Sequence, residues 1–170
     1  MEVWGGNTAI DKWFELPGLN AWVFSQPHGS SNGGGDVYYV SSCASGRITR
    51  ILLADVSGHG AGVSELALGL RELMRENVNV VKQTRFVEGM NQQFAELSAR
   101  GAFATALVAT FFQPTRQLTL CNAGHPAPLL YESASGTWRP IEPPPQDQSE
   151  ITGTPLGIVD EARYPQVQKA

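Results

Sequence analysis

Hydrophobic positions change their period several times along this chain. Residues 37–43 and 48–56 are dense in Tyr, Val, Ile and Leu and flank a compact Ala44-Ser45-Gly46 turn, the pattern of a β-hairpin. After Gly60 the period becomes helical: Val63, Leu66, Leu70, Leu73 and Met74 mark one stripe through residues 61–77, with Glu65, Arg71, Arg75 and Glu76 left for the wet face. A second helix is predicted over 84–99, with Phe86, Met90, Phe94 and Leu97 as its buried stripe and Gly101 as its stop. Strand character returns at 103–112, turns at Pro114-Thr115-Arg116 and continues through 117–121, a second hairpin. Asn122 to Pro128 reads as a rigid turn before a short strand at 129–131, and Thr154 to Ile158 as a tight turn into one more strand.

The ends are less regular. In the N-terminal strand region, 1–26, Trp4, Trp13, Phe14, Trp22 and Phe24 are mixed with turn residues; 21–25 is the first plausible strand, and these aromatics are expected to close one side of the core. Residues 26–35, QPHGSSNGGG, form a loop that is either a flexible tip or a place where backbone approaches something closely. Residues 141–150 form a Pro-rich loop. With 170 residues and neither repeats nor linkers, a single domain, 1–170, is expected.

Composition narrows the class. Hydrophobic residues make up 42% and charged residues 16%, with no apolar run long enough for a bilayer, so a soluble globular protein is expected. The net charge of −4 and the scattered arginines argue against nucleic acid as a partner. Met1 to Gly6 lacks the features of a secretory signal, which makes the cytoplasm the expected compartment. Cys43 and Cys121 are isolated in apolar runs and are expected to be reduced core residues.

The chemistry centres on two carboxylates. Asp36 follows Gly33-Gly34-Gly35 at the start of the first hairpin strand, and Asp55 lies near the end of the second, before Ser57-Gly58-His59-Gly60. An antiparallel hairpin brings those two ends together, so the acids are predicted to be neighbours. Like charges at that range repel, and a bound divalent cation makes the pair favourable. The competing reading is of two solvated turn residues. His125, between Gly124 and Pro126, reads as a hydrogen-bonded turn histidine, with a ligand or acid role as the alternative.

The ordered set Gly34-Gly35-Asp36, Ala54-Asp55-Val56-Ser57-Gly58-His59-Gly60, Phe103-Ala104-Thr105-Ala106, Asn122-Ala123-Gly124-His125-Pro126 and Pro155-Leu156-Gly157-Ile158 resembles the bacterial SpoIIE-type branch of the metal-dependent protein serine/threonine phosphatases, the PPM family. The resemblance covers roughly 34–158. It implies an α+β fold, a central β-sandwich of antiparallel sheets flanked by helices, with Mn²⁺ or Mg²⁺ in a cleft at one end. Asp36 matches a metal ligand, Asp55 the acid that bridges two metals, and Val56 the position lending its backbone carbonyl; these hard oxygen donors suit such ions. The implied reaction is hydrolysis of phosphoserine or phosphothreonine by a metal-activated water, without a protein nucleophile. The implied partner is a small phosphorylated regulatory protein, an anti-sigma-factor antagonist in partner-switching signalling.

Departures qualify the match. The family continues past Pro-Leu-Gly through a Thr-Asp-Gly strand and a later Asp that complete one metal site; neither is present here, and Asp160 does not resemble them. The last strands of the sandwich are therefore expected to be missing, leaving an edge to be covered, with a homodimer as one way to cover it. A fragment, ligands from another chain, or a reduced homologue would each account for this. Ser57 stands where the eukaryotic branch has a histidine, which leaves His59 as a weak candidate for the leaving-group acid. Two readings follow: a phosphatase with one complete and one poorly held cation, or a catalytically weakened or inactive module of the same fold that binds a phosphoprotein or regulator.

Overall fold

The computed structural model describes residues 2–28, 32–58, 61–98, 101–143 and 152–169. It is an α+β structure built on one antiparallel sheet. The N-terminal region holds three strands, β1 (Glu2–Gly6), β2 (Ile10–Leu16) and β3 (Leu19–Ser25). The first predicted hairpin follows as β4 (Asp36–Ser42) and β5 (Ile48–Val56). Helices α1 (Ala61–Glu76) and α2 (Gln83–Leu97) precede β6 (Ala104–Phe112) and β7 (Gln117–Ala123). Short strands β8 (Leu129–Glu132), β9 (Thr137–Pro140) and β10 (Gln166–Lys169) complete the order. The main sheet runs β1-β4-β5-β6-β7-β10, while β2-β3 and β8-β9 form separate two-stranded hairpins. No helix among the described residues is long and apolar enough to cross a membrane.

Strand alternation divides the sheet into two faces. Val37, Tyr39, Leu52, Ala54, Val56, Ala104, Ala106 and Val108 form the main core with Leu70 and Met74 of α1 and Phe86, Met90 and Phe94 of α2. The opposite face, through Tyr38, Val40 and Ile51, takes the β2-β3 hairpin by way of Phe14 and Leu16. Leu97, expected in the α2 stripe, is instead 43% exposed; it lies over Gly69 of α1, where an added Cβ would come within 2.7 Å of its Cδ2 atom. The helices can approach this closely because residue 69 has no side chain.

The N-terminal aromatics depart from expectation. Phe14 is buried, but Trp13, Trp22 and Phe24 are 67%, 54% and 59% exposed. The register pairs Trp13 directly with Trp22, so a period of two puts both on the outer face, where their rings stack 6.2 Å apart. Cys121 is buried and reduced as expected; Cys43 is not in the core. It sits half-buried at the hairpin turn, its sulfur accepting the Ile48 N–H at 3.2 Å and lying 3.2 Å from the Ser45 hydroxyl. These contacts outweigh desolvation and lower its pKa.

The C-terminal segment also differs. Leu156 and Ala104 exchange backbone hydrogen bonds of 2.7 and 3.1 Å, an isolated bridge rather than a strand. Buried Asn91 of α2 holds this segment, accepting from the Gly157 N–H at 2.9 Å and donating to the Val159 carbonyl at 2.8 Å. The last strand comes later: β10 pairs antiparallel with β7 and covers the edge of β7 from within the chain.

Buried polar side chains fasten the helices to the sheet. Gln83 donates to the Val108 and Thr119 carbonyls at 2.8 and 2.9 Å. Arg50, only 3% exposed, donates to Thr110 Oγ1 and to the carbonyls of Val78 and Val80 in the α1-α2 connection, with its guanidinium 4.3 Å from the Phe86 ring centroid. No carboxylate neutralises it in these contacts, so its charge is held by dipoles and an aromatic face. Arg50→Leu keeps much of the bulk but leaves both carbonyls without this donor. The expected cost is about 2–3 kcal/mol, read as a lower urea midpoint with an unchanged m-value; an unchanged midpoint would show that the connection is held elsewhere.

Candidate functional site

Register places the two acids. In the β4-β5 pair Asp36 stands directly opposite Asp55, and in the β5-β6 pair Asp55 stands opposite Thr105. Alternation turns all three toward the face that carries the β2-β3 hairpin, because their strand neighbours Val37, Ala54, Val56, Ala104 and Ala106 fill the helix side. Both carboxylates are exposed at the end of the sheet.

His125 extends this row. Its Nδ1 lies 2.9 Å from Thr105 Oγ1. The loop that carries it is fixed by Asn122, which accepts the His125 N–H at 2.8 Å and donates to the His125 carbonyl at 2.7 Å. Gly124 has φ 68°, and a Cβ there would fall 2.6 Å from the Pro155 ring, so glycine is required on both counts. The turn reading of His125 holds for its backbone, while its ring joins the acid row.

Charge and burial oppose one another along the row. Partial burial and then the Asp36 carboxylate push the Asp55 pKa up, while His125 pulls it down. Burial lowers the His125 pKa against the opposing pull of Asp55 and then Asp36. The acid pair is thus unfavourable in its doubly ionised form and suited to a cation.

Three glycines bring backbone to the acids. A Cβ on Gly35 would sit 2.8 Å from the Val56 carbonyl oxygen and 3.3 Å from Asp55 Oδ1, so any side chain would enter the space between carbonyl and carboxylate. A Cβ on Gly33 would meet Ser64 Oγ at 2.6 Å. Buried Asn7 closes the arrangement: its carbonyl accepts the Gly34 N–H at 3.0 Å, and its Nδ2 lies 3.1 Å from the Gly34 carbonyl, 3.2 Å from the Ser64 carbonyl and 2.8 Å from Ser64 Oγ. One side chain therefore links the glycine loop to the first turns of α1. Ser57 has a structural use, exchanging N–H and hydroxyl contacts with the Phe103 backbone at 2.8 and 2.9 Å.

The acids open onto a groove of about 1150 Å³ lined by Asn7, Pro27, the glycine loop, Val63 and Glu65, among others. Asp55 and the Val56 carbonyl supply hard oxygens beside the space that Gly35 leaves, and Asp36 stands opposite Asp55, a donor set that fits Mn²⁺ or Mg²⁺ completed by water. No group of three or more His, Cys, Asp or Glu suited to a metal occurs among the described residues. The described oxygen donors at this end of the sheet are the two carboxylates and the Val56 carbonyl. His59 and Gly60 lie outside the described residues. Sequence reasoning missed Asn7, for which there was no local signal, and the joining of Thr105 and His125 to the acid row; extending strand alternation across β6 would have found Thr105.

The architecture is that of the PP2C-type phosphatases. The solved RsbU and RsbW domains of a Mycobacterium tuberculosis protein match with a TM-score of 0.69 at 18% identity, covering 99% of this chain and 39% of that one. RsbX in complex with magnesium matches at 0.69 and 20% identity, covering 95% and 72%. The PP2C phosphatase domain of SpoIIE from Bacillus subtilis, solved with a fragment of its regulatory domain, matches at 0.61 and 14%, covering 99% and 42%. A search of curated proteins finds no match. The family model for stage II sporulation protein E matches residues 45–170, and the chain belongs to this SpoIIE family.

Two predictions follow from the charge pair and its glycine. Because the folded-state pKa of Asp55 is raised, the cation-free protein loses stability as pH rises through that value, and Asp55→Asn removes the loss. In chelator at pH 7 the variant is expected to melt about 1–2 °C above the parent; a lower melting temperature would contradict the repulsion. Gly35→Ala is expected to weaken Mn²⁺ binding at least tenfold in calorimetry, because its methyl enters the space between the Val56 carbonyl and Asp55.

Proposed function

We propose that this protein hydrolyses phosphoserine or phosphothreonine in a regulatory protein, using a divalent cation held by Asp36, Asp55 and the Val56 carbonyl. The observation that carries the reading is the direct Asp36-Asp55 pairing beside a carbonyl left open by Gly35, in a chain of the SpoIIE family. Bound Mn²⁺ or Mg²⁺ supplies a Lewis acid that makes water nucleophilic at neutral pH and offsets phosphoryl charge. The chain's own part is to bind and orient. Core packing fixes the register that presents both acids, and the groove offers an extended surface for the segment bearing the phosphoester. His59, four residues beyond Asp55, is the proposed source of a proton for the leaving oxygen. The proposed substrate is a small partner-switching protein of the anti-sigma-factor antagonist type, and the proposed compartment is the cytoplasm; the likeness to RsbU and RsbX folds supports the substrate class.

A second reading, a binding module of reduced activity, is favoured by one observation: the described residues offer two carboxylates rather than a larger cluster. Hydrolysis of an aryl phosphate separates the two. Turnover that requires Mn²⁺ and falls at least 10³-fold in Asp55→Asn is expected for the enzyme. Turnover that is absent, or insensitive to metal and to this substitution, would favour the binding module.

A further inference from the structure

If phosphate esters are the substrate, the described site lacks a usual component. No lysine or arginine lines the groove beside the acids or the cavity of about 320 Å³ that His125 lines with Leu107, Asn122 and Thr152, among the described residues. A phosphoryl dianion brought to two carboxylates therefore has no guanidinium or ammonium to accept its outer oxygens. His28 lines the groove as well, but His125 is the histidine whose ring is held beside the acid row through Thr105.

We infer that His125 is the protein's own donor to the phosphoryl group, a substrate-binding residue that offers Nε2–H to a non-bridging oxygen while Thr105 and Asn122 hold the ring and its loop in place. Four features carry this. The Thr105 hydroxyl lies 2.9 Å from Nδ1, so a hydroxyl that donates there fixes the tautomer with the proton on Nε2. Nε2 has no hydrogen-bond partner among the described residues, although the ring is half-buried. Thr105 stands opposite Asp55 in the register, so the imidazole lies at the end of the same cross-strand row as the acids. The loop is locked by the reciprocal Asn122 bonds and by the contact of Gly124 with Pro155, so the donor is set before a ligand arrives. The Asn-Ala-Gly-His-Pro segment thereby acquires a use beyond turn formation.

This inference rests on the phosphatase reading, and its test is chosen to fail separately. Inorganic phosphate is titrated calorimetrically into Mn²⁺-loaded protein, with Mn²⁺ affinity measured in parallel. His125→Ala is expected to weaken phosphate binding about tenfold and to raise KM for an aryl phosphate by a similar factor. His125→Gln, whose side-chain amide can reach the Nε2 position, is expected to recover most of the loss. Thr105→Val, which removes the anchor and keeps the ring, should show a smaller loss of the same kind. Mn²⁺ affinity should stay unchanged in all three, and each variant should keep a cooperative thermal transition. Phosphate binding that is indifferent to His125→Ala, or lost only together with Mn²⁺ affinity, would overturn the inference. Phosphate binding that depends on His125 in a protein without turnover would support it while removing the enzyme reading.

Discussion

Two like charges held opposite each other at the end of a sheet are the constraint on which this structure turns. The pairing of Asp36 with Asp55 is not chosen by the acids, since their repulsion opposes it. It is enforced by the strands behind them. Val37 and Tyr39 on β4, and Leu52, Ala54 and Val56 on β5, are almost wholly buried against the helices. A slip of one residue would turn that set outward and bring Asp36 toward the core. Burial of several large apolar side chains, each worth about 1.5–3 kcal/mol, far exceeds an exposed like-charge pair worth a few tenths to one. Packing therefore presents the pair, and the cleft receives a concentration of negative charge that a cation relieves.

Around this pair, polar side chains bind backbone more than one another. Asn91 grips Gly157 and Val159, and so positions Leu156, which pairs with Ala104 beside Thr105. Asn122 stabilises the His125 turn, Ser57 joins the end of β5 to Phe103, and Arg50 ties the α1-α2 connection to the sheet far from the acids. Each of these satisfies loop carbonyls or amides that regular structure leaves unpaired. The described parts of the loops around the site are thus tied by side-chain hydrogen bonds to neighbouring backbone.

Legibility from sequence followed the length and purity of the hydrophobic pattern. Helices α1 and α2 and the β4-β5 and β6-β7 hairpins were readable because each sustains one period over many residues, and the Asp36-Asp55 pairing followed from hairpin geometry alone. Strands β1 and β2 were missed, because the N-terminal aromatics lie on both faces and mask the alternation. Strand β9 buries none of its four residues, and the Gln-Val-Gln-Lys of β10 is mostly polar, so neither carries a strong signal. The His125 position depends on a side-chain contact across 20 residues, and the Asn7-Ser64 contact spans 57. Such non-local contacts are set by tertiary packing and have no local sequence signature.

The Asn7 clamp also bears on the entropy of binding. Its amide joins the glycine loop, which would otherwise be among the freest backbone in the chain, to the helix that forms the facing wall of the groove. Conformational freedom of Gly33 to Gly35 is thus surrendered during folding, when the whole domain compensates for it, rather than on ligand capture. A ligand that reaches Gly33 to Gly35 meets backbone already held, and more of its contact energy there is expressed as affinity.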